Sequence, residues 1–564
     1  MNRLRFLFSL CVLAAGCGSH GGAPSDLGSG VDGGAKTTMC PAAGAAPLPS
    51  GTCQLTVGAA GTLITATVLT PGEILRGGQV LIGGDGKIAC VGCDCSAQAA
   101  GATALACPTG VLSPGLINTH DHITYQTGPG VDSGERYEQR NDWRIGQRGH
   151  LKLQSGGTGT RAQIQLAELR AILAGTTSTV GSGGEAGLVR NLDKADPLQG
   201  GLGAKPVFFD TFPLGDTNGT QLASGCAYPK IEMASAISGE TAYFPHISEG
   251  IDTVARNEFL CASSSANGGQ DLTQPQSSFI HSIALQPADY ALMATESVSL
   301  VWSPRSNLRL YGDTAHVAEA ARMGVSITLG TDWLPSGSMN LLRELRCADG
   351  FNHDYLSDFF TDEQLWLMIT RSAATAAAFD SLIGTIAIGM HADLTIFSGA
   401  THADHRAVIA AEPSDVVLVL RDGKPLFGDA PLITGWPGVA MCDALDVCGT
   451  PKAACVMTEI GMTLAALQAA VPVGNYPLFF CGAPDNEPTC TPMRMMSVDG
   501  STVYSGVKSA TDSDGDGIPD AQDDCPTVFN PVRPVDAAKQ GDADGDGVGD
   551  ACDACPILAG NSGC

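Results

Sequence analysis

Val111-Leu112-Ser113-Pro114-Gly115-Leu116-Ile117-Asn118-Thr119-His120-Asp121-His122 is an apolar run that passes through Pro-Gly and ends on two histidines one residue apart. Strand side chains repeat every two residues, so His120 and His122 point the same way. Two imidazoles on one face can clamp a transition metal, and neutral imidazole suits zinc and iron. A bare His-x-His pair is more often structural than ligating. Its weight here comes from the rest of the chain. His246 and His281 each close a later apolar run, and Gly330-Thr331-Asp332 ends another.

Working outward, strands and helices alternate from Val111 to about Phe379. Ala162 to Ala174 is amphipathic and stops at Gly175. β-like runs follow at 176–180, 207–209, 242–246, 278–281, 299–302 and 325–329, with a helix at 315–323. Thr361-Asp362-Glu363-Gln364 reads as a capping box opening a further helix. Such βα alternation predicts an α/β fold of the (β/α)8 type, with strand 4 unplaced between Asp210 and Tyr243. Short β patterns flank it on both sides, at 62–91 and 389–424.

Five motifs in this order resemble the amidohydrolase superfamily, in its deaminase and triazine-hydrolase branch. They are Pro114 to His122, Pro245-His246-Ile247-Ser248-Glu249-Gly250, Phe279-Ile280-His281, Ser303-Pro304-Arg305-Ser306-Asn307-Leu308 and Gly330-Thr331-Asp332. The later Gly389-Met390-His391-Ala392-Asp393 matches that family's return to a small β-sandwich. The resemblance covers about residues 60–430. It implies a metal-bearing barrel at 111–383 and a composite sandwich from 55–110 and 384–432. It implies His120, His122, His246 and Asp332 as metal ligands, with Asp332 also accepting the proton of the metal water. Glu249 is implied as proton shuttle. His281 is implied to orient the hydroxide, to stabilise an oxyanion, or to bind a second metal in binuclear members.

The implied activity is hydrolysis of a carbon–nitrogen bond other than a peptide bond, by metal-hydroxide attack on a small molecule such as a cyclic amidine, cyclic amide or amino-heterocycle. Zinc is the first choice of metal and iron the second, one per chain. Binuclear relatives carry a carboxylated lysine at the end of strand 4. Lys205 precedes a strand and Lys230 follows no clear one, so a binuclear dipeptidase or lactamase-like enzyme is the runner-up. His150, His316, His353, His391, His402 and His405 have no matching context and read as surface or loop residues.

The formal charge of −27 argues against a nucleic-acid partner, because phosphate binding needs clustered Lys and Arg. Arg3, Arg5 and the apolar stretch Phe6 to Ala15 read as an export signal over 1–16. Leu13-Ala14-Ala15-Gly16-Cys17 resembles a lipobox, implying lipid on Cys17, a membrane anchor and a place in the bacterial cell envelope. Gly18 rather than Asp favours the outer membrane. Residues 17–54 read as a flexible Gly/Ala/Ser/Pro tether. The chain has 20 cysteines. In an oxidising compartment these pair, so Cys90, Cys93 and Cys95 read as disulfide partners of one another or of Cys107 rather than as a metal knuckle. Residues 433–508 read as a cysteine-containing extension.

Residues 512–553 carry twelve aspartates. Two related segments place Asp512, Asp514, Asp516, Asp520 and Asp523, then Asp542, Asp544, Asp546, Asp550 and Asp553, among glycine turns. Alternating carboxylates with glycine turns can wrap calcium, which takes six to eight oxygens. The pattern over 509–564 resembles thrombospondin type-3 repeats, and implies a stiff surface module or a contact for a protein partner. A non-catalytic calcium-ordered adhesion protein is therefore the reading from a different class.

Overall fold

The apolar run at 111–122 serves two sheets. Thr103–Pro114 is a strand of a large mixed sheet, and Leu116–Asn118 opens a parallel set. The break falls at Gly115, where a Cβ would lie 2.3 Å from Thr177 Oγ1. Only a residue without a side chain lets the chain turn between sheets at that separation. The computed structural model describes residues 34–560. The signal segment and Cys17 lie outside the described residues.

The parallel set comprises β1 (Leu116–Asn118), β2 (Thr176–Thr179), β3 (Arg190–Asn191), β4 (Phe208–Asp210), β5 (Tyr243–Ile247), β6 (Ser278–His281), β7 (Ser299–Trp302) and β8 (Ile327–Leu329). They form two ladders, β1 to β3 and β4 to β8, each in sequence order. Individual hydrogen bonds link the ladders at both seams. Val207 N–H donates to Leu192 O (2.9 Å) beyond β3, and Asp332 N–H donates to His120 O (2.9 Å) beyond β1 and β8. The predicted barrel is thus two parallel sheets joined edge to edge, not one unbroken ladder. The strands at the first seam are too short for more, since β3 has only two residues.

The unplaced strand lies upstream of where it was sought. It is β3, and Val207-Phe208-Phe209 belongs to the fourth strand rather than the third. β3 carried no hydrophobic signal because it is Arg190-Asn191. It is buried through a salt bridge, with Arg190 Nε 2.6 Å from Asp393. The helix Arg161–Leu173 is capped by Thr160 and Gln163, begins and ends one residue before the predicted Ala162 to Ala174, and buries Leu166, Leu169 and Ile172. Ile117, Val180, Phe244, Ile280 and Val301 form an apolar cluster contributed by the parallel strands or their ends.

The flanking segments build one mixed sheet of eleven strands rather than a sandwich of two separate ladders. The predicted pieces from 55–110 and 384–432 supply its centre. Its edges correct two expectations. Lys36–Met39, in the stretch read as a tether, pairs in parallel with Glu73–Arg76. Asp443–Val447 and Thr450–Ala454, in the stretch read as an extension, form the opposite edge. Covalent links explain the first. Cys40 bonds Cys93 and Cys53 bonds Cys107, so glycine-rich sequence is pinned to the sheet. Cys90 bonds Cys95, as the disulfide reading expected. No helix among the described residues is long and apolar enough to cross a membrane.

The chain beyond 480 folds back on the parallel strands. Cys490 bonds Cys347, 143 residues away. Phe529 packs against Tyr355 and Tyr504 with ring centroids 5.5 and 5.3 Å apart. Arg533 donates to Ile283 O (2.9 Å), just past β6. Closing so long a loop removes much entropy from the unfolded chain. Replacing Cys347 and Cys490 together by Ser is expected to cost about 2–4 kcal/mol, read as a fall in Tm.

Candidate metal centre and its surroundings

All predicted barrel-site residues converge beyond the C-terminal ends of the parallel strands. His120 and His122 follow β1, His246 lies in β5, His281 ends β6 and Asp332 follows β8. His120 Nε2 lies 3.4 Å from His122 Nε2, which lies 3.3 Å from His246 Nε2. Asp332 Oδ1 is 3.5 Å from both His120 Nε2 and His122 Nε2. Burial pushes His120 and His246 well below the ordinary histidine range and His122 down to about 4. The imidazoles are therefore neutral at ordinary pH and offer lone pairs, the form a metal binds. Three neutral imidazoles and a carboxylate converging this closely fit a divalent transition metal.

Hydrogen bonds at the outer ring nitrogens sort the histidines. His246 Nδ1 donates to Asp210 O (3.1 Å), leaving Nε2 unprotonated toward the centre. His120 Nδ1 lies 2.9 Å from Ser303 Oγ. His281 is held the other way. Trp302 Nε1, which can only donate, bonds Thr314 Oγ1 (2.7 Å). The Thr314 hydroxyl then donates to Asn307 Oδ1 (3.1 Å), and Asn307 Nδ2 donates to His281 Nδ1 (3.1 Å). The proton of His281 consequently sits on Nε2 and faces the site. In this arrangement His281 turns an N–H donor toward the site, and its ring also stands with those of His120 and His246, ligand atoms within 4.8 Å of one another.

Asp332 is 4% exposed, and burial followed by the charge of Glu249 holds its carboxyl well above the usual range. Ser306 Oγ donates to Asp332 Oδ2 (2.6 Å), leaving Oδ1 toward the histidines. Glu249 is also raised by burial, and its Oε2 lies 3.6 Å from His281 Nε2. Tyr311 OH donates to Glu249 Oε1 (2.7 Å), and Trp143 Nε1 donates to Tyr311 Oη (2.8 Å). Ser248, His281, Ser282 and Asp332 all have φ between 52° and 75°. Left-handed backbone at non-glycine residues costs roughly 1–3 kcal/mol each and gathers at functional sites.

The helix after β7, Pro304–Tyr311, carries three of these supports. Within the motif Ser303 to Leu308, Ser306 and Asn307 hold Asp332 and His281. Tyr311 was missed, because nothing local marks a tyrosine whose partner is 62 residues away. Arg494 was missed too. It is buried, donates to Tyr137 O (2.9 Å) and Tyr311 O (2.7 Å), and pairs with Glu138. Tyr311→Phe is expected to lower kcat about tenfold, since a hydrogen bond to a charged group is worth roughly 1.5–3 kcal/mol. Its metal content stays that of the wild type.

Neither lysine stands where a bridging group is needed. Lys205 precedes β4 and bonds Gly239 O (2.7 Å) and Glu240, while Lys230 lies in the loop beyond Leu214. β4 ends at Asp210. Among the other histidines, two depart from the surface reading. His316 is mostly enclosed and pairs with Glu319 (2.5 Å), and His405 packs on the Trp366 ring (4.8 Å between centroids).

In the C-terminal segment, Asp512, Asp514 and Asp516 bring carboxylate oxygens within 4.8 Å of one another, as do Asp542, Asp544 and Asp546. Asp514 Oδ2, Asp516 Oδ2 and Asp544 Oδ2 are buried without a protein partner. Asp520 and Asp550 instead accept backbone N–H groups of Ser513 (2.7 Å) and Ala543 (2.9 Å), and Asp523 and Asp553 accept those of Cys525 and Cys555 (both 2.8 Å).

His122, His246, His281 and Asp332 line a cavity of about 480 Å3, walled also by Tyr125, Trp143, Phe212 and Trp333. Fold and site together define a buried histidine–carboxylate centre opening on a small-molecule cavity. Residues 271–426 match the model of the Amidohydrolase family. The chain is 31% identical over 168 residues to a 5-methylthioadenosine/S-adenosylhomocysteine deaminase of Shouchella clausii, covering 28% of this chain and 38% of that protein. A protein of the same name from Halobacterium salinarum is 25% identical over 408 residues, 64% of this chain and 91% of its own length. The chain spans 38% and 52% of two relatives it matches, those of Shouchella clausii and Caldicellulosiruptor saccharolyticus. Among solved structures, an atrazine chlorohydrolase variant of Arthrobacter aurescens with zinc and atraton superposes with a TM-score of 0.48 at 19% identity, covering 65% of this chain and 95% of that one. A zinc-bound adenosine deaminase of Xanthomonas campestris gives 0.44 at 18% identity, covering 66% and 93%.

Proposed function

We propose that the protein is a mononuclear metal-dependent hydrolase that cleaves a non-peptide carbon–nitrogen bond in an amino-heterocycle or a related cyclic amidine or amide. The observation that carries this reading is the placement of Glu249 3.6 Å from His281 beside three neutral imidazoles and Asp332. A bound zinc or iron would acidify water toward neutrality and polarise the substrate. His120, His122, His246 and Asp332 would hold it.

The chain's own groups divide the remaining work. Asp332, as the carboxylate, takes a proton from the attacking water. His281 presents an N–H donor to the oxygen or nitrogen that gains charge at the attacked carbon. Glu249, its carboxyl raised by burial, passes a proton to the leaving nitrogen. Tyr311 and Trp143 hold that carboxyl in place. The aromatic walls exclude water and stack on a flat ring. Elemental analysis tests the centre. About one zinc or iron per chain is expected, with release of ammonia or amine from an amino-heterocycle panel. Calcium alone in a protein inert to the whole panel would overturn the reading.

We further propose that the two aspartate clusters bind calcium. The buried, unpartnered oxygens of Asp514 and Asp516 support this, as does the disulfide Cys525–Cys552 between the repeats. Burial, followed in both by neighbouring carboxylates, pushes Asp514 up to about 7 and Asp516 up to about 8. Carboxyls raised on folding stabilise the metal-free fold at low pH, and that contribution is lost as pH climbs from the unfolded range through the folded values. Without calcium the segment is therefore expected to become protease-sensitive above about pH 8, and calcium to protect it there. Limited proteolysis with and without a chelator reads both.

The lipobox at Cys17 supports anchoring at the cell envelope. Eight disulfides among the described residues support an oxidising compartment.

A further inference from the structure

The cavity above the metal centre has an unusual charge pattern. The whole chain has 58 acidic and 31 basic residues. Yet the cavity wall includes Arg140, Arg144 and Lys152, and its only carboxylates are Glu249 and Asp332 at the floor. Arg140 is ion-paired, although its Nε has no hydrogen-bond partner among the described residues. It is buried and bonds Asp216 (2.6 Å) and Thr211 O (2.7 Å). Arg144 and Lys152 are not. Neither has an ion pair among the described residues.

Arg144 is nevertheless built into place. It sits on the helix Arg140–Ile145, which follows β1 and has a capping box at Gln139 and Asp142. Its Nε donates to Asn141 Oδ1 (2.9 Å), and Nη2 donates to the carbonyls of Asp216 (3.1 Å) and Thr217 (2.9 Å). The Phe212 ring lies 5.0 Å from its Cζ. Every fixed partner is neutral, and Nη1 has no hydrogen bond among the described residues. Burial, and after it the nearby Arg140, press against its charge, and the carboxylates of Asp216 and Glu249 offset this only in part. A guanidinium held rigidly by neutral groups beside another cation lowers its energy by meeting an anion. Lys152 is exposed at the cavity rim, and its flexible ammonium can reach the same anion.

We propose that Arg144 and Lys152 form a subsite for an anionic substituent, a carboxylate or phosphate, on the far side of the substrate ring from the attacked carbon. This deepens the hydrolase reading and rests on it for the reaction, though not for binding. The substrate class becomes an amino-heterocycle bearing an acidic side group, seated between Trp143, Trp333 and Phe212. The subsite also answers an electrostatic problem. A protein this acidic repels anions at long range, and a local basic rim reverses the sign where the ligand enters.

The test uses matched probes and two readouts. Aminopurines and aminopyrimidines with and without a terminal carboxylate or phosphate are titrated against the full-length metal-loaded protein. Binding is read by quenching of tryptophan fluorescence, and turnover by ammonia release. The acidic member of each pair is expected to bind at least about tenfold more tightly, an advantage that shrinks with added salt. In the Arg144→Gln/Lys152→Gln variant the acidic-to-neutral preference is expected to fall by at least about tenfold, with wild-type metal content. A carboxylate preferred over a phosphate, or the reverse, identifies the group. Equal binding of acidic and neutral members, no binding of either, or a preference that survives the double substitution overturns the subsite. Binding of the acidic member through Arg144 without any turnover keeps the subsite and overturns the hydrolase reading instead.

Discussion

Replacing His120 and His122 together by Ala is expected to remove the transition metal and abolish turnover, by at least about 10^4-fold, because a bound metal shifts the acidity of water by many decades. Both rings face one point, where His120 Nε2 and His122 Nε2 are 3.4 Å apart and Asp332 Oδ1 is 3.5 Å from each. Loss of two of four donors leaves His246 and Asp332, too few to hold the ion tightly. The fold is expected to survive, since β1 is anchored by Ile117 and by Leu116, both fully buried. Calcium uptake by the C-terminal segment should also survive. Metal content, circular dichroism and turnover, measured on one preparation, separate these outcomes. Retained turnover without zinc or iron would show that the chemistry lies elsewhere.

Glu249→Gln is expected to leave metal content unchanged and to lower kcat by about 10^2–10^4-fold, the usual contribution of a placed general acid or base. Glutamine preserves the shape and can still accept from Tyr311, so the change isolates the missing proton. The pH profile gives the sign. Burial raises the Glu249 carboxyl, so the proton donor is present below its raised value and is lost as pH climbs through it. The wild type should therefore lose kcat along an alkaline limb that the variant lacks. Tyr311→Phe should move that limb upward, because its hydroxyl stabilises the charged carboxylate. A residue with a merely structural role would move the Tm without moving the limb.

Some of this was legible along the chain because it is local. Each predicted ligand stands at the end of an apolar run, and a run of that kind announces its own strand whatever surrounds it. The capping box at Thr361 was legible for the same reason, since partner and cap are three residues apart. The disulfide habit of Cys90, Cys93 and Cys95 followed from composition, but pairing did not, because it depends on which strands meet. β3 was invisible because a salt bridge from Asp393, not apolar periodicity, buries Arg190.

The sequence alone therefore marked the candidate ligands at the ends of apolar runs, the order of the βα units and the acidic repeats at the C-terminus. All three rest on short-range chemistry. Tertiary structure decided what no spacing encodes. It brought Trp302, Thr314 and Asn307 into the relay that places the His281 proton, and it set Tyr311 on Glu249. It turned Lys36–Met39 from apparent tether into sheet edge and folded the chain beyond 480 onto the parallel strands. It also left Arg144 charged and unpaired in a cavity wall. Hydrogen bonds, burial and charge pairing between distant segments form only once the chain is packed, so their consequences appear only in three dimensions.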